Sequence, residues 1–96
     1  MMNKVRLNDL NRKIRLEKFC DSYWVLEKYV WGKIEVGANI LGAEHGILEN
    51  KGFYNVIIRN FVKVDKSMRF VYKNMVLYIK HIDDMDTSYL KIFCEE

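Results

Sequence analysis

Apolar and polar residues alternate with period two over most of this chain, a pattern that predicts strands. In residues 13–19 (KIRLEKF), Ile14 and Leu16 share one face while Arg15 and Glu17 share the other. Residues 29–36 (YVWGKIEV) set Val30, Ile34 and Val36 against Trp31, Lys33 and Glu35. Gly32 interrupts the apolar side there, as at a bulge or a close backbone approach. Residues 53–62 (FYNVIIRNFV) are apolar on both faces, which predicts a strand covered on both sides. Residues 88–96 (SYLKIFCEE) turn Leu90, Ile92 and Cys94 inward.

Residues 67–82 (SMRFVYKNMVLYIKHI) predict a hairpin about the two-residue turn Lys73-Asn74, with Asn74 suited to a positive φ. That register sets Tyr72 opposite Met75, Phe70 opposite Leu77 and Met68 opposite Ile79 on one face. Arg69 then lies opposite Tyr78, and Val71 opposite Val76, on the other. A slip of one residue would exchange the faces. Residues 24–31 admit a second reading as two helical turns, because Trp24, Glu27, Lys28 and Trp31 follow helical spacing. The pattern as a whole predicts a mainly β protein, a small antiparallel β-barrel or sandwich of five to six strands with one long loop.

The loop is residues 37–52 (GANILGAEHGILENKG), where the alternation stops. It holds four of the chain's five glycines together with Ile40, Leu41, Ile47 and Leu48. Those aliphatics share a helical face, yet Gly42 and Gly46 each cost a helix about 1 kcal/mol relative to Ala. A loop with helical or extended tendencies is the expectation, and loops of this length in compact domains tend to be functional or disordered.

Ninety-six residues, half of them apolar, are expected to form a single domain over 1–96. The net charge of +3 is mild and its basic residues are scattered, except in residues 4–18, where a solvated surface explains them. No signal-like apolar segment and no membrane-length run is visible, so a reducing compartment with Cys20 and Cys94 as free thiols is expected, with no membrane partner.

Catalytic chemistry finds no constellation. His45, beside Glu44 in the glycine-flanked loop, reads as a solvated loop histidine, and His81 as a half-buried histidine at a strand end. His45, His81, Cys20 and Cys94 lack metal-ligand spacing, so no metal is expected. Asp83, Asp84 and Asp86 lack the glycine and terminal acid of a calcium loop. No phosphate loop or nucleophile motif is present, and neither an enzyme nor a cofactor is expected. Arg59 and Arg69 stand out because each interrupts an apolar strand. Either its stem covers the sheet while its head reaches water, or its fork serves an interface.

The second half, NVIIRNFVKVDKSMRFVYKNMVLYIKHIDD followed by YLKIFCEE, resembles the head-tail joining proteins of long-tailed bacteriophages, also called head-completion, stopper or head-tail adaptor proteins. The matching elements are Ile58-Arg59, the arginine-led hairpin at Arg69-Phe70, Ile79, and the closing Leu90-Ile92-Cys94 with Glu95 or Glu96. LNDLNRKIRLEKF and WVLEKYVWGKIEV look like the family's first two strands, so the resemblance runs from about residue 7 onward. Asn74 stands where a glycine is usual and Leu77 where an aromatic is common.

The resemblance implies a structural virion-assembly protein of a phage or prophage. It would be made in the bacterial cytoplasm and placed at the head-tail interface of the virion. Its implied partners are the portal or connector complex, tail proteins, further copies in a ring, and, transiently, packaged DNA. Ile40, Leu41, Glu44, His45, Ile47 and Leu48 would then make channel or neighbour contacts, and Arg59, Arg69, Trp31 and Tyr78 are candidate interface residues. The alternative is an OB-like barrel binding single-stranded nucleic acid, which needs aromatics and cations together on one exposed sheet face.

Overall fold

The computed structural model describes residues 10–37, 52–85 and 87–96. These form six strands: β1 (Arg12–Cys20), β2 (Tyr23–Val36), β3 (Phe53–Arg59), β4 (Met68–Tyr72), β5 (Met75–Asp84) and β6 (Tyr89–Glu95). All pairings are antiparallel, and the order β1-β2-β3-β6-β5-β4 closes on itself as a barrel. Closure removes the sheet edges that a six-strand open sheet would expose. Ile14, Leu16, Val56, Ile58, Phe70, Leu77, Ile92 and Cys94 fill the lumen and are fully buried.

Among the described residues the chain crosses the barrel once. β1–β2, β4–β5 and β5–β6 are neighbours in both sequence and space, as are β2 and β3, whereas β3 and β4 are not. Residues 60–67 span the end of the barrel between them and lower Val62 into the core. Asn60 fastens this crossover to the β5–β6 turn: its N–H donates to the Ser88 carbonyl at 2.8 Å and its amide to the Thr87 carbonyl. Asp65 closes the return into β4 by accepting from the Ser67 N–H at 2.8 Å.

The β4–β5 register is the one predicted from the alternation: Tyr72 faces Met75, Phe70 Leu77, Val71 Val76 and Arg69 Tyr78. The turn differs in one detail, since the positive φ of 54° is carried by Lys73 and not by Asn74. Residues 24–31 are strand, and the helical reading of them fails. The cause is the two-residue turn Asp21-Ser22, with φ of 52° and 72°, which folds β2 back along β1. Two consecutive positive-φ residues match the twist of paired strands.

Two bulges decide which residues face outward. In β2, Leu16 pairs with Lys28 but Glu17 pairs with Leu26, so Glu27 is an extra residue. In a regular strand of this sequence, Trp24 would share the parity of Val30 and point into the lumen. The bulge instead sets Trp24 opposite Phe19 on the outer wall. In β5 the register steps from Ile79 to His81, leaving Lys80 extra. Ile82 is thereby returned to the inner face and His81 is turned outward, so the expected half-buried His81 is instead exposed. Val36, expected inside with Val30 and Ile34, lies 78% exposed where β2 runs out of the barrel. β3 is covered on both faces as its sequence predicts: Val56 and Ile58 point inward, and the outward Ile57 is also buried.

Candidate assembly surfaces

Arg69 sits on the outer wall, where closure of the barrel places it beside Glu17 of β1. Its Nε donates to Glu17 Oε1 at 2.8 Å, while Arg15 Nε donates to Glu17 Oε2 at 2.6 Å. Each carboxylate oxygen therefore has its own guanidinium. Trp24 lies over Arg69, with the Cζ atom 4.2 Å from the ring centroid, and Tyr78 accepts from Arg69 Nη1 at 3.4 Å. Phe19 and Tyr78 flank Trp24 edge-on at 5.2 and 6.2 Å.

Glu17 is 6% exposed, and among the described residues it is the sole buried charged side chain. Burial pushes its carboxyl up, but the hydrogen bonds from Arg15 and Arg69 outweigh that and hold it below the ordinary carboxylate value. The folded state thus binds fewer protons than the unfolded state across this range. The pair contributes stability above the ordinary glutamate pKa of about 4.3, and that contribution is lost as pH falls through the depressed value. Glu17→Gln should cost about 2 kcal/mol in urea unfolding at neutral pH, because two guanidinium groups lose their shared anion. The difference between wild type and variant should shrink below about pH 4. A gap that stays constant to acid pH would show that the carboxylate's charge contributes nothing.

Trp31 and Arg59 come together elsewhere. β3 pairs with β2 only over Gly32–Val36, so the stretch of β2 before Gly32 has β1 as its one strand neighbour among the described residues. Beyond the end of β3 lies a groove of about 540 Å³ between Lys28, Tyr29, Val30 and Trp31 on one side and Arg59, Phe61 and Val62 on the other. Trp31 is 57% exposed and Phe61 72%. Arg59 leans toward Tyr89, its Cζ 5.9 Å from the ring centroid, and has no carboxylate partner among the described residues. Lys13 stands 4.8 Å over the Tyr29 ring. The described lining thus carries aromatics and two cations, and no acid.

The four candidate interface residues accordingly divide into two sites. Arg69 and Tyr78 are bound into a cluster whose carboxylate comes from their own chain, whereas Trp31 and Arg59 border an open groove. Glu17, Trp24, Tyr29 and Phe61 were not singled out from the sequence. The acid between two arginine-bearing strands was visible, but the pairing of β1 with β4 was not.

The loop residues Ile40, Leu41, Glu44, His45, Ile47 and Leu48 lie outside the described residues. Both ends of the loop are described. Gly37 N–H donates to the Phe53 carbonyl at 2.6 Å, and Glu96 N–H donates to the Gly52 carbonyl at 3.0 Å. Gly37 and Gly52 therefore form a hydrogen-bonded base at the end of the barrel opposite the 60–67 crossover.

Cys94 is buried and free, and burial pushes its thiol up to about 12; Cys20 is exposed and free. His81 is exposed, its Nε2 2.7 Å from Asp83 Oδ1. Among the described residues no three His, Cys, Asp or Glu side chains gather at a metal-binding distance, and no helix is long and apolar enough to cross a membrane.

No protein-family model matches the chain. No curated protein matches it either. The solution structure of protein SF1141 from Shigella flexneri 2a is similar, with a TM-score of 0.67 and 17% identity over 96% of each chain. At that identity the likeness is one of fold.

Proposed function

We propose that this protein is a structural component of a tailed-phage head-tail connector, working by assembly into a ring and not by catalysis. The observation that carries the reading is a closed barrel in which the two ends of the 37–52 segment are held together at one end by the Gly37–Phe53 and Glu96–Gly52 hydrogen bonds. A closed barrel whose 37–52 segment carries four glycines and Ile40, Leu41, Ile47 and Leu48 suits a part that completes its contacts on a partner. The order of strands and arginines that resembles the head-tail joining proteins supports the same reading, as do the exposed Trp31 and the half-buried Arg59 beside it, residue types favoured at interfaces.

The test is completion in vitro of DNA-filled heads made without this protein. Adding the purified chain should restore DNA retention and tail joining. Arg59→Ala should reduce both while changing stability by no more than about 0.5 kcal/mol, as for a surface site. Heads that remain leaky with the wild-type chain would remove the reading.

The groove also supports the second reading, binding of single-stranded nucleic acid, since Tyr29, Trp31 and Phe61 alternate there with Lys28 and Arg59. Salt-dependent binding of an oligonucleotide, lost on Trp31→Ala, would favour it.

A further inference from the structure

We propose that the groove beside Trp31 receives the Asp84–Met85 corner of a second copy of this chain. This deepens the assembly reading and rests on it.

The groove needs an occupant that is apolar at its tip and acidic at its flank. Its described walls are Leu10, Tyr29, Val30, Trp31, Phe61 and Val62, with Lys28 and Arg59 at the sides and no carboxylate among them. The end of β5 offers that chemistry. Asp84 is exposed and makes no ion pair among the described residues, whereas Asp83 is engaged by His81 and lies beside Lys91 in the ladder. Met85 follows it, 38% exposed, on a backbone held by donation of its N–H to the Tyr89 carbonyl at 3.0 Å. A thioether packs well against aromatic rings, and a guanidinium pairs well with a carboxylate.

The two surfaces are placed for repetition. The groove's Arg59 side and the Asp84–Met85 corner lie at the same end of the barrel with only β6 between them: Arg59 pairs with Tyr89, whose carbonyl accepts from the Met85 N–H. A groove that takes a different patch of the next copy, once per pair, makes a head-to-tail contact, the kind that generates rings when the rotation closes. A two-fold dimer would make the same contact twice, reciprocally, and sedimentation distinguishes the two by mass.

The measurement uses the full chain at its highest soluble concentration, as an equal mixture of unlabelled and ¹⁵N-labelled copies treated with a carbodiimide. Lys28 should be joined to Asp84 in peptides carrying one labelled and one unlabelled half. In sedimentation, Arg59→Glu and Asp84→Lys should each raise the self-dissociation constant about tenfold, as expected for one close charge pair. Their equimolar mixture should return to the wild-type value, which a misfolded variant could not achieve. If Arg59→Glu lowers the melting temperature, Lys28→Glu, an exposed residue, takes its place.

Absence of the mixed-label Lys28–Asp84 product, or a mixture that does not recover, overturns this contact. Recruitment of the wild-type chain to a portal-containing connector, measured separately, then decides whether the assembly reading survives without it. Loss of affinity for a single-stranded oligothymidine in the groove variants, with self-association unchanged, would assign the groove to nucleic acid instead.

Discussion

Replacing Gly32 by Val should remove about 3 kcal/mol or more of stability, enough to leave much of the population unfolded near physiological temperature. Gly32 faces the lumen where β1, β2 and β3 run side by side, paired with Arg12 on one flank and Ile58 on the other. A Cβ built there would lie 2.9 Å from the Ile57 carbonyl oxygen, 2.9 Å from Ile58 Cγ2 and 3.0 Å from Ile14 Cδ1. The first of these atoms is ladder backbone, and the other two belong to buried side chains. None can withdraw cheaply.

The clash is steric and not conformational, so the size of the side chain should set the cost. Ala adds one carbon and also restricts the unfolded chain, which returns up to about 1 kcal/mol. It should therefore cost clearly less than Val, whose two further methyl groups enter a filled core. Urea unfolding of the two variants checks this. Equal and small losses would show that the barrel wall can widen at β2.

Deleting residues 39–50 should produce the opposite separation: a folded barrel that cannot complete heads. The deletion joins Ala38 to Lys51 and leaves Gly37, Ala38, Lys51 and Gly52 between β2 and β3. Four-residue connections are ordinary in hairpins. The last β2–β3 ladder pair, Val36 with Tyr54, is outside the deletion, as are the Gly37–Phe53 and Glu96–Gly52 hydrogen bonds.

Shortening the closed loop from sixteen residues to four lowers the entropy cost of closure by about 1 kcal/mol, so stability should hold or rise slightly. Retention of DNA in the head should be lost. If the deleted chain fails to fold, the aliphatics of the loop belong to the core and the assembly reading loses its main support. If it folds and still completes heads, the loop is dispensable.

The strands were legible because most of them have one wet face and one dry face, which period-two alternation records directly. The β4–β5 hairpin could be read to the residue, since Phe70 and Leu77 must both face the core and the turn between them is short. The need for glycine at position 32 was visible as a gap in an apolar face. What escaped was everything created by an extra residue. Glu27 and Lys80 carry no mark of being bulges, yet they decide that Trp24 covers Arg69 and that His81 faces water. The Asp21-Ser22 turn escaped for a related reason. Serine is unusual at positive φ, and the helical spacing of Trp24, Glu27, Lys28 and Trp31 offered a competing pattern.

The candidate sites divide along the same line. Arg59 and Arg69 look alike in sequence, each a cation within an apolar strand. Their difference lies in barrel closure, which brings Glu17 to Arg69 across 52 residues and leaves Arg59 facing a groove. No local pattern carries that information, because it depends on which strands become neighbours when the sheet closes. The groove escaped because it forms where β3 ends before β2 does, a mismatch of strand lengths set by the 60–67 crossover.

The central claim is that this barrel is one part of a ring built on a connector. Its most direct test is the mass of the full chain, measured alone and after mixing with a portal-containing phage connector. The account predicts a fixed, saturable number of copies per connector, in keeping with its rotational symmetry, and loss of that stoichiometry when residues 39–50 are removed. A wild-type chain that leaves the connector's mass unchanged would contradict it.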